Sequence, residues 1–269
     1  MPVKYAQKSW MSNDPYRDRP WLTASGRLQT GTAKDRMAAT AANRPFVPIP
    51  LVPTYTAPVC TNFTPTKRTQ WVKEKLGVDL PSGFPDESYP GFAAPVVVKS
   101  YQTGRVACGL ARFGLIPSWA KDDKISRHTY NARSETAAEK PSYRAAWRHR
   151  QYGLVLVDSF YEPSYESGRA VRWKIELASG DPFGIACLWD RWTDPASGEL
   201  VVSFSMLTVN ADDHPVMNQF HKPGDEKRTP VIIAPELHDT WLSADPAKAA
   251  EMMTWSHMPE LRAMPAPKA

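Results

Sequence analysis

Four short segments of the 269-residue chain concentrate side chains that can make and break bonds. The first is Cys60-Thr61-Asn62-Phe63. The second begins Gly114-Leu115-Ile116-Pro117-Ser118-Trp119 and resumes as Asn131-Ala132-Arg133-Ser134-Glu135. The third, Asp158-Ser159-Phe160-Tyr161-Glu162, leaves a carboxylate at the end of an apolar run. The fourth joins Phe220-His221 to a basic stretch holding Lys222, Lys227 and Arg228. A thiol, a carboxylate and an imidazole are the components of a nucleophile with acid–base support. Arg133 adds a forked donor that suits phosphate, and Trp119 a ring on which a base can stack. Singly, each has an ordinary structural use. Glu162 suits a solvated strand end and His221 a half-buried ring beside Phe220. Asn131 and Arg133 suit a turn cap and a surface ion pair.

The elements that must carry these residues follow from hydrophobic periodicity. A short helix over 66–76, closed by Gly77, precedes a loop over 81–90. Strands are expected over 95–101 and 105–113, turning at Gly104, and then over 152–158, 171–177, 183–189, 200–209 and 229–234. Helices are expected over 142–150, 235–242 and 246–253. Strands mostly follow strands, which predicts an α+β domain on an antiparallel, barrel-like sheet with flanking helices. Residues 1–58 hold eight prolines and no sustained period. Such a segment buries too little surface to offset its ordering entropy, so it is expected to be disordered. One folded domain over 59–255 and a flexible tail over 256–269 complete the expected organisation.

Charge does not single out a partner. The chain carries 33 Lys/Arg against 28 Asp/Glu, a formal net charge of +5 and a pI near 9.0. Eight of those cations and three of the anions fall within 1–58, so the remainder is neutral overall, with 25 of each sign. Any nucleic-acid surface must therefore be a local patch. No stretch of about 20 apolar residues is present for a membrane helix, and no secretory apolar core opens the chain. A cytoplasmic protein without a membrane partner is expected. The three cysteines are far apart with no CxxC pair, which argues against disulfides, zinc or another metal. Cys108 and Cys187 sit in apolar runs and read as inert core residues.

Together the four segments resemble the SRAP family (SOS response-associated peptidase, the abasic-site processing proteins) over about residues 59–245. The resemblance rests on Cys60 followed by Phe63, Gly114-Leu115-Ile116-Pro117-Ser118-Trp119, Asn131-Ala132-Arg133-Ser134-Glu135, Phe160-Tyr161-Glu162, and His221 ahead of Pro230-Val231-Ile232-Ile233, all in family order. It implies a DNA-repair enzyme whose partner is single-stranded DNA containing abasic sites, with no small-molecule cofactor. In the family the cysteine becomes the first residue, presenting a thiol and a free amine on adjacent carbons. The amine condenses with the ring-opened abasic aldehyde to a Schiff base, and the thiol closes a thiazolidine. A free α-amino group, with a pKa of about 7.7–8.0, is partly neutral at physiological pH. The resemblance makes Glu162 and His221 acid–base groups, Asn131 an orienting amide, and Arg133 a phosphate ligand. It places Trp119, Pro117, Ser118 and Lys222 at the DNA. The peptidase step implied by the family name would be self-processing that exposes the cysteine.

Three departures qualify the resemblance. The cysteine is residue 60, behind Val59. Either Val59 is the true initiator, decoded from a GTG start codon, or residues 1–59 are removed by cleavage. Thr61-Asn62 replaces the family's usual Gly-Arg, removing one phosphate contact. The segment 222–227 lengthens the step after His221, and Lys222, Lys227 and Arg228 either replace that contact or line a solvated loop. Two other readings use the same residues: a non-catalytic single-strand binding module, and a cysteine peptidase acting on other proteins. With no heptads and a neutral main domain, a monomer is expected.

Overall fold

The computed structural model describes residues 60–100 and 103–268; the segment expected to be disordered, 1–58, lies outside the described residues. In chain order the elements are β1 (Asn62–Pro65), α1 (Thr69–Leu76), β2 (Ala93–Lys99), β3 (Val106–Phe113), β4 (Asn131–Arg133), α2 (Arg144–Arg148), β5 (Tyr152–Ser164), β6 (Val171–Leu177), β7 (Phe183–Thr193), β8 (Leu200–Asn210), β9 (Arg228–Pro230), β10 (Ile232–Ile233), α3 (His238–Ser243), α4 (Pro246–Met252) and β11 (Leu261–Pro265). Five of them close a barrel, β5–β2–β3–β8–β7 and back to β5. The α+β barrel-like fold read from the sequence is the fold formed. Its pairs are antiparallel except that β3 and β4 each run parallel to β8.

β5 shows why the strands read as apolar on both faces. Val155 and Val157 point into the barrel with Val96, Phe113, Phe204 and Met206. Tyr152, Leu154 and Leu156 point outward to a second apolar layer that includes Trp147 of α2 and Trp241 of α3. Full burial of each such side chain contributes about 1.5–3 kcal/mol, so neither face is left to water.

The alternation then breaks. β1 runs beside β5 with Thr64 opposite Ser159 but Pro65 opposite Val157, leaving Asp158 as an extra residue. This β-bulge reverses which side chains point inward. Beyond it Phe160, rather than Ser159, joins the barrel interior, and Glu162 shares its face.

Several boundaries differ from expectation. α1 starts at Thr69 because Pro65 ends β1 and the Thr66 hydroxyl accepts from the Arg68 N–H in a local turn. β5 runs past Glu162 to Ser164 instead of stopping at 158. The strand expected over 229–234 is two, since β9 pairs with β8 and β10 with β7. Val231 between them donates to the Leu207 carbonyl and accepts from the Ala186 N–H. The expected flexible tail over 256–269 is a correction: β11 pairs with β6 from Trp173 to Leu177 and buries Leu261 against the same apolar cluster as the barrel interior. Five residues flanked by prolines show too little period to be read as a strand. No described helix is long and apolar enough to cross a membrane.

Candidate active site at the start of the first strand

Cys60 lies immediately before β1 and is wholly buried. Its backbone N–H donates to Glu162 Oε1 at 2.5 Å, across 102 residues of chain. Its carbonyl accepts from Asn131 Nδ2 at 3.5 Å. His221 Nδ1 is 3.6 Å from Glu162 Oε2, and His221 Nε2 is 3.0 Å from the Arg228 carbonyl. A carbonyl only accepts, so Nε2 carries the proton and Nδ1 turns its lone pair to Glu162. Four sequence-predicted residues, Cys60, Asn131, Glu162 and His221, are thus brought to one place, from just before β1, from β4, from β5 and from the segment between β8 and β9.

Each is fixed by local structure. The bulge at Asp158 aims Glu162 inward, and β4 offers Asn131 by pairing beside Met206 of β8. The Tyr143 hydroxyl donates to the Asn131 carbonyl at 2.9 Å. Cys60 and His221 hold left-handed backbones, with φ of +38° and +66°. Such conformations cost non-glycine residues about 1–3 kcal/mol and persist only where surroundings over-determine them. Here they do: the His221 N–H donates to the Pro163 carbonyl, beside the Ser164–Phe220 bridge. Gly114 serves the neighbouring segment. Its φ is +112°, and a Cβ there would stand 2.4 Å from the Ser126 carbonyl oxygen, so only glycine allows the chain to turn sharply after β3.

The electrostatics favour uncharged groups. Burial pushes the Glu162 carboxyl up to about 8, with the Cys60 N–H drawing it part of the way back. Burial likewise lowers the His221 imidazole. At neutral pH the 3.6 Å contact is therefore not an ion pair; a protonated Glu162 Oε2 faces a neutral imidazole. Burial, and then the negative charge that Glu162 would carry, push the Cys60 thiol well above its ordinary value. Cys60 is not a ready thiolate. What the site presents is a nitrogen on a carboxyl able to give or take a proton near neutrality.

The remaining predicted residues spread outward. Arg133 lies on the same side of β4 as Asn131, more than half exposed, and donates to Glu226 at 2.7 Å. Lys222 is exposed next to His221, and its carbonyl accepts from Lys227 Nζ at 2.7 Å. Pro117 is buried, while the Ser118 N–H donates to Asp190 and the Trp119 indole to the Pro141 carbonyl. These three hydrogen-bond elsewhere than at Cys60. Trp119 is the large apolar side chain left 56% exposed. Asn62, in place of the family's basic residue, is tied to Arg172 at 2.8 Å and Glu87 at 3.2 Å.

Two neighbours carried no signal in the sequence. Tyr130 packs edge-on to Phe113 at 5.8 Å, and burial followed by the nearby Glu162 raises its phenol. Glu226 joins Arg133 to the buried Arg228. A cavity of about 350 Å3 bounded by Trp71, Lys75, Glu236 and His257 contains none of the residues at Cys60. The interacting carboxyl, imidazole and thiol converge at Cys60 and not at this cavity, which makes Cys60 the candidate site. Among the described residues no group of His, Cys, Asp and Glu is arranged to hold a metal ion.

Fold and site define a small β-barrel protein with a Cys–Glu–His–Asn cluster at the entry to its first strand. The family model for SOS response associated peptidase (SRAP) matches residues 52–269, and the chain belongs to that family. It is similar to "Abasic site processing protein YoqW" of Bacillus subtilis (strain 168), with 30% identity over 191 residues, 69% of this chain and 80% of the relative. "Abasic site processing protein HMCES" of Xenopus tropicalis is 32% identical over 142 residues, 45% of this chain and 40% of that protein. A crystal structure from Bordetella bronchiseptica superimposes with a TM-score of 0.71 at 30% identity, covering 78% of this chain and all of the other. One from Bacteroides thetaiotaomicron shares the fold, with a TM-score of 0.66 at 20% identity over 78% and 93% of the two chains.

Proposed function

We propose that this protein captures abasic sites in single-stranded DNA by a covalent bond to Cys60, once the Val59–Cys60 bond is open and the Cys60 nitrogen is a free amine. The observation that carries the reading is the 2.5 Å contact between that nitrogen and Glu162 Oε1. The amine attacks the aldehyde carbon, forming a C–N bond, and passes a proton to Glu162. Glu162 returns that proton to the former aldehyde oxygen and then relays the second amine proton to the resulting hydroxyl, which leaves as water and gives the neutral Schiff base. The thiol then adds to the C=N carbon, and its proton goes to nitrogen, closing the thiazolidine. One water is lost and no oxidant is needed.

The raised pKa of Glu162 suits this sequence, because a carboxyl near 8 both accepts and donates around neutrality. The raised thiol suits it as well: sulfur acts second, on an activated carbon, and need not be a thiolate beforehand. His221 Nδ1 supports the Glu162 proton, and Asn131 holds the Cys60 carbonyl. Arg133 and Lys222 contact phosphates, and exposed Trp119, braced by Pro117 and Ser118, stacks on a base. Self-cleavage at Val59–Cys60 would use the same Glu162 and His221.

The test is a denaturing gel. The chain beginning at Cys60 is incubated with single-stranded DNA containing one abasic site. A shifted band that is absent for Cys60→Ala is expected. An unshifted band for the unsubstituted protein would refute the reading.

A further inference from the structure

Arg133 and Arg228 both converge on one carboxylate. Glu226 Oε2 accepts from Arg133 Nη1 at 2.7 Å, and Glu226 Oε1 from Arg228 Nη1 at 2.5 Å. The two arginines differ in what else they have. Arg228 is buried and remains bound to Glu135 through Nη2 at 2.8 and 3.2 Å, to the Thr208 carbonyl at 2.8 Å and to the Thr208 hydroxyl at 3.2 Å. Its charge stays compensated without Glu226. Arg133 is more than half exposed, and Glu226 is its recorded ion-pair partner.

The carboxylate is delivered by the segment 222–227 between His221 and β9. That segment turns through Pro223 and Gly224, the latter at φ +85°. It is closed on itself by Lys227 Nζ on the Lys222 carbonyl, and Asp212 accepts from the Lys227 N–H at 2.9 Å. Asn210 also donates to Glu226, at 3.3 Å. An exposed guanidinium that a phosphodiester would engage is thus already engaged by an anion of the protein's own chain.

Resting on the DNA-binding reading above, we infer that Glu226 is an internal competitor for DNA phosphate at Arg133, a latch that a nucleic-acid backbone must displace to enter the site. A carboxylate and a phosphodiester oxygen make the same charge-assisted contact with a guanidinium, so the two are mutually exclusive at Arg133. Displacement is favoured where several phosphates bind together with counterion release. It is disfavoured for an isolated small anion, which gives the site a preference for a polyanionic strand. Because the segment starts at His221 and ends at Arg228, whose carbonyl fixes the His221 tautomer, the latch adjoins the acid–base group directly.

The test takes the chain beginning at Cys60 and compares it with its Glu226→Gln, Arg133→Gln and double variants for binding to an intact labelled oligothymidylate across a salt series. Glu226→Gln is expected to tighten binding by about five- to tenfold at low salt and to steepen the salt dependence by about one phosphate contact. The gain should vanish when Arg133 is also Gln. Unchanged binding by Glu226→Gln, while the unsubstituted protein still crosslinks abasic DNA, overturns the latch and leaves the crosslinking reading intact. A lowered melting temperature with weaker binding assigns Glu226 to holding Arg228 and overturns it too. Tighter binding by Glu226→Gln with no crosslink from any form supports the latch and refutes the crosslinking reading instead.

Discussion

Residues 152–157 and 160–162 belong to one strand, β5, yet they do different things. The first stretch is barrel wall, with alternate side chains packed into two apolar layers and no carboxyl, amine or imidazole among them. The second places a buried carboxyl inside the barrel. What separates them is one residue, Asp158, opposite which β1 supplies no partner. The cysteines beside the two stretches repeat the contrast. Cys187 pairs with Gly153 on the wall, buried and with its thiol raised by burial alone apart from one backbone hydrogen bond. Cys60 is equally buried and its thiol is also raised, but a carboxyl holds its nitrogen and its backbone is left-handed. Burial does not distinguish the two cysteines; the parity of a neighbouring strand, which brings a carboxyl to one of them, does.

Deleting Tyr161, beyond the bulge, is the strongest way to break this contrast. With one residue fewer after Phe160, Glu162 takes the outward position that Tyr161 holds. Crosslinking to abasic DNA is expected to fall by at least about 100-fold, the scale for displaced catalytic geometry. Asp158→Ala keeps the extra residue and loses only a 3.7 Å contact with a half-exposed Arg68, which is worth little. It should crosslink normally. The two variants are compared on the same denaturing gel, with tryptophan fluorescence reporting the fold. Loss of crosslinking in Asp158→Ala would mean that the side chain, not the bulge, is what matters.

The same contrast explains what the sequence made legible. The wall of the barrel could be read because apolar residues alternate or run continuously there, and turn glycines such as Gly104 and Gly198 mark the hairpins. The candidate site residues could be named because their segments carry family motifs in order. Their mutual placement could not be read. No local pattern says that Asp158 is supernumerary, or that Glu162 reaches a nitrogen 102 residues earlier. β1 and β4 are too short to show a period, and β11 escaped for the same reason. Glu226 was hidden inside a segment whose lysines drew attention as possible phosphate ligands.

Replacing Glu162 by Gln tests the electrical side of the comparison. With Cys60 still in a peptide bond, the native carboxyl titrates near 8, against about 4.5 for the free group. Between those values the native state keeps a proton that the unfolded chain releases. Stability contributed by the neutral carboxyl is therefore full below about pH 4.5 and is lost as pH rises through about 8, at no more than about 1.4 kcal/mol per pH unit. Glu162→Gln has no such proton. Its unfolding free energy should match the unsubstituted protein at pH 4 and exceed it at pH 9 by on the order of several kcal/mol. Urea unfolding at the two pH values measures this. An equal difference at both would show that folding does not shift the Glu162 carboxyl from its ordinary range. Freeing the Cys60 amine should shrink the effect, since an ammonium beside the carboxyl favours its charged form.

The wall stretch predicts the opposite kind of result: a change in stability with no change in chemistry. A Cβ on Gly153 would meet Cys187 Sγ and Val96 Cγ1 at 3.0 Å and the Val97 carbonyl oxygen at 3.1 Å. β2 and β7 approach β5 closely there because position 153 has no side chain. Gly153→Ala is expected to cost about 1–3 kcal/mol through overpacking. Adding Cys187→Ala should recover part of that, because the sulfur is one of the atoms in the way. Both variants should crosslink abasic DNA at the unsubstituted rate under conditions where they are folded. If the double variant is no more stable than Gly153→Ala alone, the Val96 methyl and the Val97 carbonyl set the limit, and the spacing of the barrel wall at this point is a property of β2 rather than of the cysteine.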